Sequence, residues 1–296
     1  MGISIAGVAP ELHPDFVAEV TGIDLRRPPS PDDVAAIEAG MDRFALLVFR
    51  NQPIDDDQQV IFARSFGPLE QATGDLAQGA ERRLRMELND ISNVNLDGTV
   101  MARDDRKRLF GLGNLLWHSD SSFKANPAKY SMLSARVLPA RDGNTEFADM
   151  RAAYDALPEE ERANLHDLVC EHTQIHSRGV LGFTDFTEEE RIRFAPVRQR
   201  LIRRHPVTGR LSLYLSSHAG AIEGWPVPEA RALLRDLTEH ATQRAFVYVH
   251  RWQPHDLVIW DNRTTMHRAR RYDPTEKRDL RRTTLEGDGP TVLQTH

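Results

Sequence analysis

One cysteine, Cys170, stands among 296 residues. No disulfide can form within the chain, so the fold must hold by packing and hydrogen bonding. Such a chain suits a reducing compartment, and a cytoplasmic location is expected. Long apolar runs are missing too: none approaches the length of a membrane span. The opening residues, MGISIAGVAPELHPDF, lack a basic start and a long apolar stretch, so no signal peptide and no membrane association are expected. There is no excess of basic charge. Thirty-eight Lys and Arg against 44 Asp and Glu give a net charge of −6, which gives no reason to expect a nucleic-acid partner. Internal repeats and low-complexity tracts are also absent.

What remains is an ordinary globular composition, with 40% hydrophobic and 28% charged residues, enough for a sizeable core in a single domain over 1–296. Residues 30–44 read as a helix, with Ser30 as cap, Pro31 in the first turn, and Asp32 and Asp33 at the positive end of the dipole. FALLVFR (44–50) reads as a buried strand. DDDQQVIFARSFG (55–67) returns to helical spacing and ends at Gly67 and Pro68. Residues 71–112 read mostly as loop near a site, with a strand at 90–96.

Strands are expected at 129–139 and 144–150, joined by a turn through Arg141, Asp142 and Gly143. A helix, a break at Pro158 and a second helix follow over 149–168. The charged stretch 171–200 reads as a lid or a surface excursion. Further strands are expected at 211–219, 245–252, 256–262 and 280–287, with a helix at 227–241. Short strands separated by turns point to an antiparallel sandwich or barrel rather than a parallel doubly wound sheet.

The chemistry centres on WHSDSSF (117–123). In an extended segment, residues i and i+2 share a face, so His118 and Asp120 could aim an imidazole and a carboxylate at one point. Two histidines and one carboxylate form the ligand set of many iron(II) oxygenases and leave positions open for substrate and oxygen. Alone, the pair reads as a surface or hydrogen-bonded polar pair, since His-x-Asp occurs by chance in many proteins. His267 follows an apolar run and a turn-prone Asp261-Asn262, with Arg278 eleven residues on and Arg282 four further.

If 278–283 is a strand, Arg278, Leu280 and Arg282 share a face. Guanidiniums beside apolar strands need partners, and carboxylates of small molecules match their fork. The alternative is a solvated basic surface, which is the reading given to Arg268, Arg270 and Arg271. Phe123 and Leu215 could line an apolar pocket. His172 and His176, four apart but without a third ligand, read as polar positions of the 171–200 stretch. Histidines 13, 166, 205, 240, 250, 255 and 296 read as structural or solvated.

Together these residues resemble the taurine dioxygenase family of iron(II)/2-oxoglutarate oxygenases. The likeness runs through WHSDSSF, NTEFADMRAAYDALP (144–158), DLVIWDNRTTMHRARRYD (256–273) and KRDLRRTT (277–284). It implies a mainly β fold with helices: a double-stranded β-helix, or jelly-roll, core with flanking helices. It also implies Fe(II), 2-oxoglutarate and O2 as cofactor and co-substrates, with His118, Asp120 and His267 on the iron. Arg278 and Thr145 would then hold the far carboxylate of 2-oxoglutarate. Arg282 would meet the acid group of a small acidic substrate, and His218 in SSHAGAIEG (216–224) would line its pocket.

Within the family the chain resembles the aryloxyacetate-cleaving members, and that likeness runs through LLVFRNQPIDDDQQVIFARSFGPLE (46–70) and KYSMLSA (129–135). This implies hydroxylation of an aryloxyacetate, such as 2,4-dichlorophenoxyacetate, to a phenol and glyoxylate with release of succinate and CO2. A homo-oligomer is expected. The rival readings are a taurine, alkylsulfonate or sulfate-ester dioxygenase of the same family, and a non-catalytic metal-binding jelly-roll. One departure concerns the pocket. Aryloxyacetate members carry a basic residue soon after GPLE, where this chain reads QATGDLAQ (71–78).

Overall fold

The structure is a computed structural model that describes residues 2–8, 11, 14–72 and 81–294. His13, His296 and the 73–78 part of QATGDLAQ lie outside the described residues. The largest sheet comprises β1 (Ser4–Gly7), β2 (Val17–Thr21), β3 (Leu46–Phe49), β4 (Asn89–Ser92), β5 (Tyr130–Val137), β13 (Leu257–Asp261) and β15 (Asp279–Thr284). Their order is β1-β2-β3-β13-β5-β15-β4. A second sheet has the order β12-β6-β14, from β6 (Thr145–Asp149), β12 (Val247–His250) and β14 (Thr265–Ala269). A third has the order β11-β7-β8, from β7 (Val169–His172), β8 (Val197–Arg200) and β11 (Ala219–Ile222). The hairpin of β9 (Ile202–Arg204) and β10 (Leu211–Leu213) adjoins them. Apart from the parallel β2–β3 pair, the strand pairings among the described residues run antiparallel.

The chain is thus a jelly-roll core with flanking helices, and each strand's alternation says which layer it meets. In β13, Val258 and Trp260 pack inward with Phe147, Leu133 and Leu280. Leu257 and Ile259 point outward onto Met41, Phe44, Phe62 and Phe66. A strand covered on both faces reads as a continuous apolar run, as DLVIWDN does. The outer cover is α1 (Pro31–Phe44) and α2 (Asp56–Arg64). Both open with reciprocal capping boxes, Ser30 with Asp33 and Asp55 with Gln58. Helices α4 (Met150–Asp155), α5 (Glu159–Leu165) and α8 (Val227–Ala241) cover the smaller sheets through Tyr154, Leu165, Leu234 and Leu237.

The expected strands β5 and β6 and the turn between them are present, with Asp142 and Gly143 at positive φ, though the two strands do not pair with each other. β5 pairs with β13 and β15, while β6 pairs with β12 and β14. The chain crosses between sheets there because the inner faces of both strands must meet across the core. The expected strand 211–219 is two short strands, β10 and β11, separated by a non-strand stretch at 214–218. Residues 71–112 hold a short helix, α3 (Arg106–Gly111), whose apolar side carries Phe110 against Phe183 and Phe194. Those partners lie more than seventy residues away, so no local period announced it.

Stretch 171–200 folds into β7, α6 (Gln174–Val180), α7 (Glu188–Arg193) and β8. No helix among the described residues is long and apolar enough to cross a membrane. After β15 the backbone passes so close to Pro127 that a Cβ on Gly287 would lie 1.7 Å from the Pro127 carbonyl oxygen. Gly287→Ala therefore requires main-chain movement. It should lower stability by about 1–3 kcal/mol, the usual cost of overpacking, as a reduced urea midpoint.

Candidate metal centre

Three distant segments meet at one end of the sandwich. β14 carries His267 opposite Phe147 of β6. On its other side β14 accepts a one-residue bridge. His118 N–H donates to the His267 carbonyl at 3.0 Å, and His267 N–H donates to the His118 carbonyl at 2.8 Å. The two rings then stand 4.2 Å apart between centroids. Asp120 follows on the same face. His118 Nε2 lies 3.8 Å from its Oδ1, and His267 Nε2 lies 3.7 Å from its Oδ2. Ligand-capable atoms of the three residues all fall within 4.8 Å of one another, and all three residues are buried.

Neighbours fix each donor. His118 Nδ1 sits 2.8 Å from the Leu116 carbonyl, which makes Nδ1 the protonated nitrogen and leaves the Nε2 lone pair facing Asp120. The His267 ring packs against Trp260 at 4.6 Å and stacks on Phe147 at 6.0 Å. Asp120 is held from several sides. Its N–H donates to Asn262 Oδ1 at 3.1 Å, Ser131 Oγ donates to its Oδ2 at 2.7 Å, and Arg282 Nη1 donates to its Oδ1. Asn262 Nδ2 donates in turn to Ser131 Oγ at 2.9 Å, and Trp260 Nε1 donates to Asn262 Oδ1 at 3.0 Å. The residue after Asp120, Ser121, is left-handed at φ 55°, which turns the chain away once both donors are placed.

Electrostatics suit a cation. Burial pushes His118 below the ordinary histidine value, and burial with His118 beside it pushes His267 further down, so both imidazoles are neutral at pH 7. Burial alone would raise Asp120, but Arg282 and the two imidazoles outweigh it and hold the carboxyl at about 2. Two neutral imidazoles and one ionised carboxylate form the donor set of a facial triad. The residues present therefore fit a divalent metal.

Arg278, at the start of β15, fits an anion. Its Nη2 donates to the Gly143 carbonyl at 3.2 Å, its Nε is buried with no partner, and no carboxylate pairs with it among the described residues. Burial lowers it to about 10, so it stays charged near neutrality. Asn93 fixes its backbone by exchanging two hydrogen bonds, at 2.9 and 3.2 Å. Thr145 lies two residues beyond Gly143, on the same face of β6 as Phe147, about 7 Å along the strand. Trp252 Nε1 donates to Thr145 Oγ1 at 3.0 Å, leaving the hydroxyl proton to donate.

His218 borders a cleft lined by His118, Asp120 and Arg282, with its ring 6.2 Å from His118 and 5.1 Å from Phe123. Gln71 and Ala72 also line it, where a basic residue was looked for. Four sequence expectations are corrected. Leu215 lies in the core with Leu213 and Met266 rather than in the pocket. Arg268 is not a solvated charge: it pairs with Glu146 at 2.7 Å and lies over Trp117 at 4.6 Å. His172 is buried on β7, 3.1 Å from Ser122 Oγ and stacked on Tyr214, because the strand turns it inward. His176 packs against Gly220 and Arg231 from α6, so the two do not share a helix. Sequence reasoning also passed over Asn262 and Ser131. Only the WDN run ending β13 hints at Asn262, since it shares Trp260's inward parity.

The family model described as taurine catabolism dioxygenase TauD, TfdA family matches residues 9–284. The chain is 51% identical over 281 residues to the alpha-ketoglutarate-dependent 2,4-dichlorophenoxyacetate dioxygenase of Cupriavidus pinatubonensis, covering 95% of this chain and 98% of that one. It is 38% identical to the (S)-phenoxypropionate/alpha-ketoglutarate-dioxygenase of Sphingobium herbicidovorans, with 95% of each chain covered. The crystal structure of AAD-2 in complex with Mn(II) and N-oxalylglycine superposes with a TM-score of 0.90 at 55% identity, over 99% of this chain and 100% of that one.

Six buried or half-buried imidazoles, His118, His172, His176, His218, His250 and His267, are shifted below the ordinary value of 6.5, in each case chiefly by burial. On acidification the unfolded chain takes up these protons from about pH 6.5 downward, while the folded chain refuses them. Metal-free protein should therefore lose stability as pH falls from 7 to 5, by up to about 1.4 kcal/mol per pH unit for each such group. Urea midpoints across this range measure it, and a flat profile would contradict the burial assigned here.

Proposed function

We infer that this chain, which belongs to the taurine catabolism dioxygenase TauD, TfdA family, is a 2-oxoglutarate-dependent dioxygenase that cleaves aryloxyacetates. The observation that carries the reading is the convergence of His118, Asp120 and His267 on one point, in a chain that also buries a guanidinium, Arg278, with no carboxylate partner among the described residues. In this reading the whole chain is one catalytic domain. His118 Nε2, Asp120 and His267 hold a ferrous ion, and Arg278 and Thr145 hold the far carboxylate of 2-oxoglutarate. Bound iron supplies the coupling of O2 reduction to loss of CO2 from 2-oxoglutarate, yielding succinate and one oxygen atom for the substrate.

The residues of the chain supply placement. Arg282 and Ser131 keep the Asp120 carboxylate ionised and in one orientation, while Asn262 accepts from the Asp120 N–H and donates to Ser131 Oγ. The Leu116 carbonyl keeps the His118 proton on Nδ1. Trp260 and Phe147 shield His267 from water. Arg278 orients 2-oxoglutarate by pairing with its far carboxylate, which fixes the co-substrate before the reacting carbon arrives. Arg282 uses N–H groups not spent on Asp120 for the substrate's acid group, and His218 with Phe123 borders the aryl ring. Hydroxylation at the carbon between carboxylate and ether oxygen gives a hemiacetal, which collapses to a phenol and glyoxylate.

Anaerobic addition of iron(II) and 2-oxoglutarate should produce a weak visible charge-transfer band. His118→Ala should abolish it. Arg278→Ala should raise the 2-oxoglutarate dissociation constant by about 10- to 100-fold, the scale of a lost charge-assisted hydrogen bond. An unchanged affinity would remove Arg278 from its role. In air, succinate should form with phenoxyacetate in preference to taurine or an alkyl sulfate, and the reverse order would replace the substrate class.

A further inference from the structure

We propose that Arg178 is a second cation for the carboxylate of the aryloxyacetate, in the cleft that His118 and Asp120 also line; this rests on the function inferred above. Arg178 sits on α6 and is buried, yet it lines the cleft with His118, His218, Phe110, Phe123 and Gln174. Its hydrogen-bonding capacity is largely unspent. Nη1 donates to Ser177 Oγ at 3.2 Å, Nε is buried without a partner, and no carboxylate pairs with it among the described residues.

The fold makes deliberate room for this group. The guanidinium lies over the Phe110 ring at 4.5 Å and against Gly113, where a Cβ would come within 2.3 Å of Arg178 Cζ. Any larger residue at 113 would displace it. A buried guanidinium with no counter-charge is costly, so its retention calls for an anion from elsewhere. The acids that line the cleft cannot serve, because each already has a partner. Glu70 accepts from Lys124 and Ser121, both at 2.7 Å; Asp90 accepts from Arg83 at 2.6 Å; Asp120 accepts from Arg282. Arg282 is thus partly committed, whereas Arg178 is not.

Its position fits the chemistry. Ser177 Oγ donates to the Gln174 carbonyl at 3.0 Å, so it accepts from both Arg178 Nη1 and His218 Nδ1, the latter at 2.8 Å. Arg178 is therefore linked through one hydroxyl to the imidazole that borders His118. In an aryloxyacetate the carboxylate and the carbon to be hydroxylated are bonded neighbours. A cation that grips the first also places the second, within the tolerance such chemistry demands.

The test compares Arg178→Gln, Gly113→Ala and wild type, each loaded with iron(II) and 2-oxoglutarate under anaerobic conditions. Phenoxyacetate and its uncharged amide are then titrated. Arg178→Gln should weaken phenoxyacetate binding by about 10- to 100-fold while leaving the amide and 2-oxoglutarate within about threefold. Gly113→Ala, which keeps the arginine but fills its seat, should move the same way. Equal losses for acid and amide would reduce Arg178 to a structural residue and overturn the proposal. So would unchanged acid affinity in Arg178→Gln, provided wild type prefers the acid. A wild type that binds acid and amide alike would instead sink the substrate class itself.

Discussion

Two backbone hydrogen bonds between His118 and His267 set the geometry on which the site depends. They join an irregular segment to the edge of the β12-β6-β14 sheet at a single residue pair. That contact turns a separation of 149 residues in the chain into rings 4.2 Å apart. Side-chain forces alone would not hold such an approach, since three groups that compete for one cation gain nothing from one another when it is absent. The sheet imposes the approach, and the packing of Phe147 and Trp260 around His267 keeps it. This is preorganisation in its plain sense: the folding free energy of the jelly-roll covers the cost of crowding the ligands.

The distribution of charge follows from the same constraint. Acids near the site are paired within the chain, and two arginines are not. Asp120 has Arg282, Glu70 has Lys124, and Asp90 has Arg83. Among the described residues no carboxylate pairs with Arg278 or Arg178, whose guanidiniums meet the Gly143 carbonyl and Tyr272, and Ser177 Oγ and Phe110, respectively. A protein that binds small acids must leave cations unspent and keep its own carboxylates from spending them. Both guanidiniums lie against glycines, Gly143 and Gly113, whose missing side chains open the space.

Helices were legible from residues alone because their signals are local. Ser30 as the cap of α1, the helical spacing of α2, the break at Pro158 and the span of α8 need no partner to be recognised. Strand existence was nearly as legible, but pairing was not. β5 and β6 look like a hairpin around Asp142 and Gly143, yet each joins a different sheet. Pairing is decided by which faces bury against which, and that information is spread over the whole chain.

For the site, the sequence determined the chemical types: which imidazoles, which carboxylate, and an arginine eleven residues beyond the second histidine. Resemblance to a family supplied their assignment. What only the tertiary structure decided is which polar groups remain unsatisfied once the chain has folded. Arg178, unremarked in the charged 171–200 stretch, becomes a buried cation lining the cleft; Arg268, equally basic, is spent on Glu146 and Trp117. Asn262 and Ser131 acquire their role only through contact with Asp120. The physical reason is that a hydrogen bond or a counter-charge belongs to a pair. A sequence lists the members, and folding alone determines who meets whom.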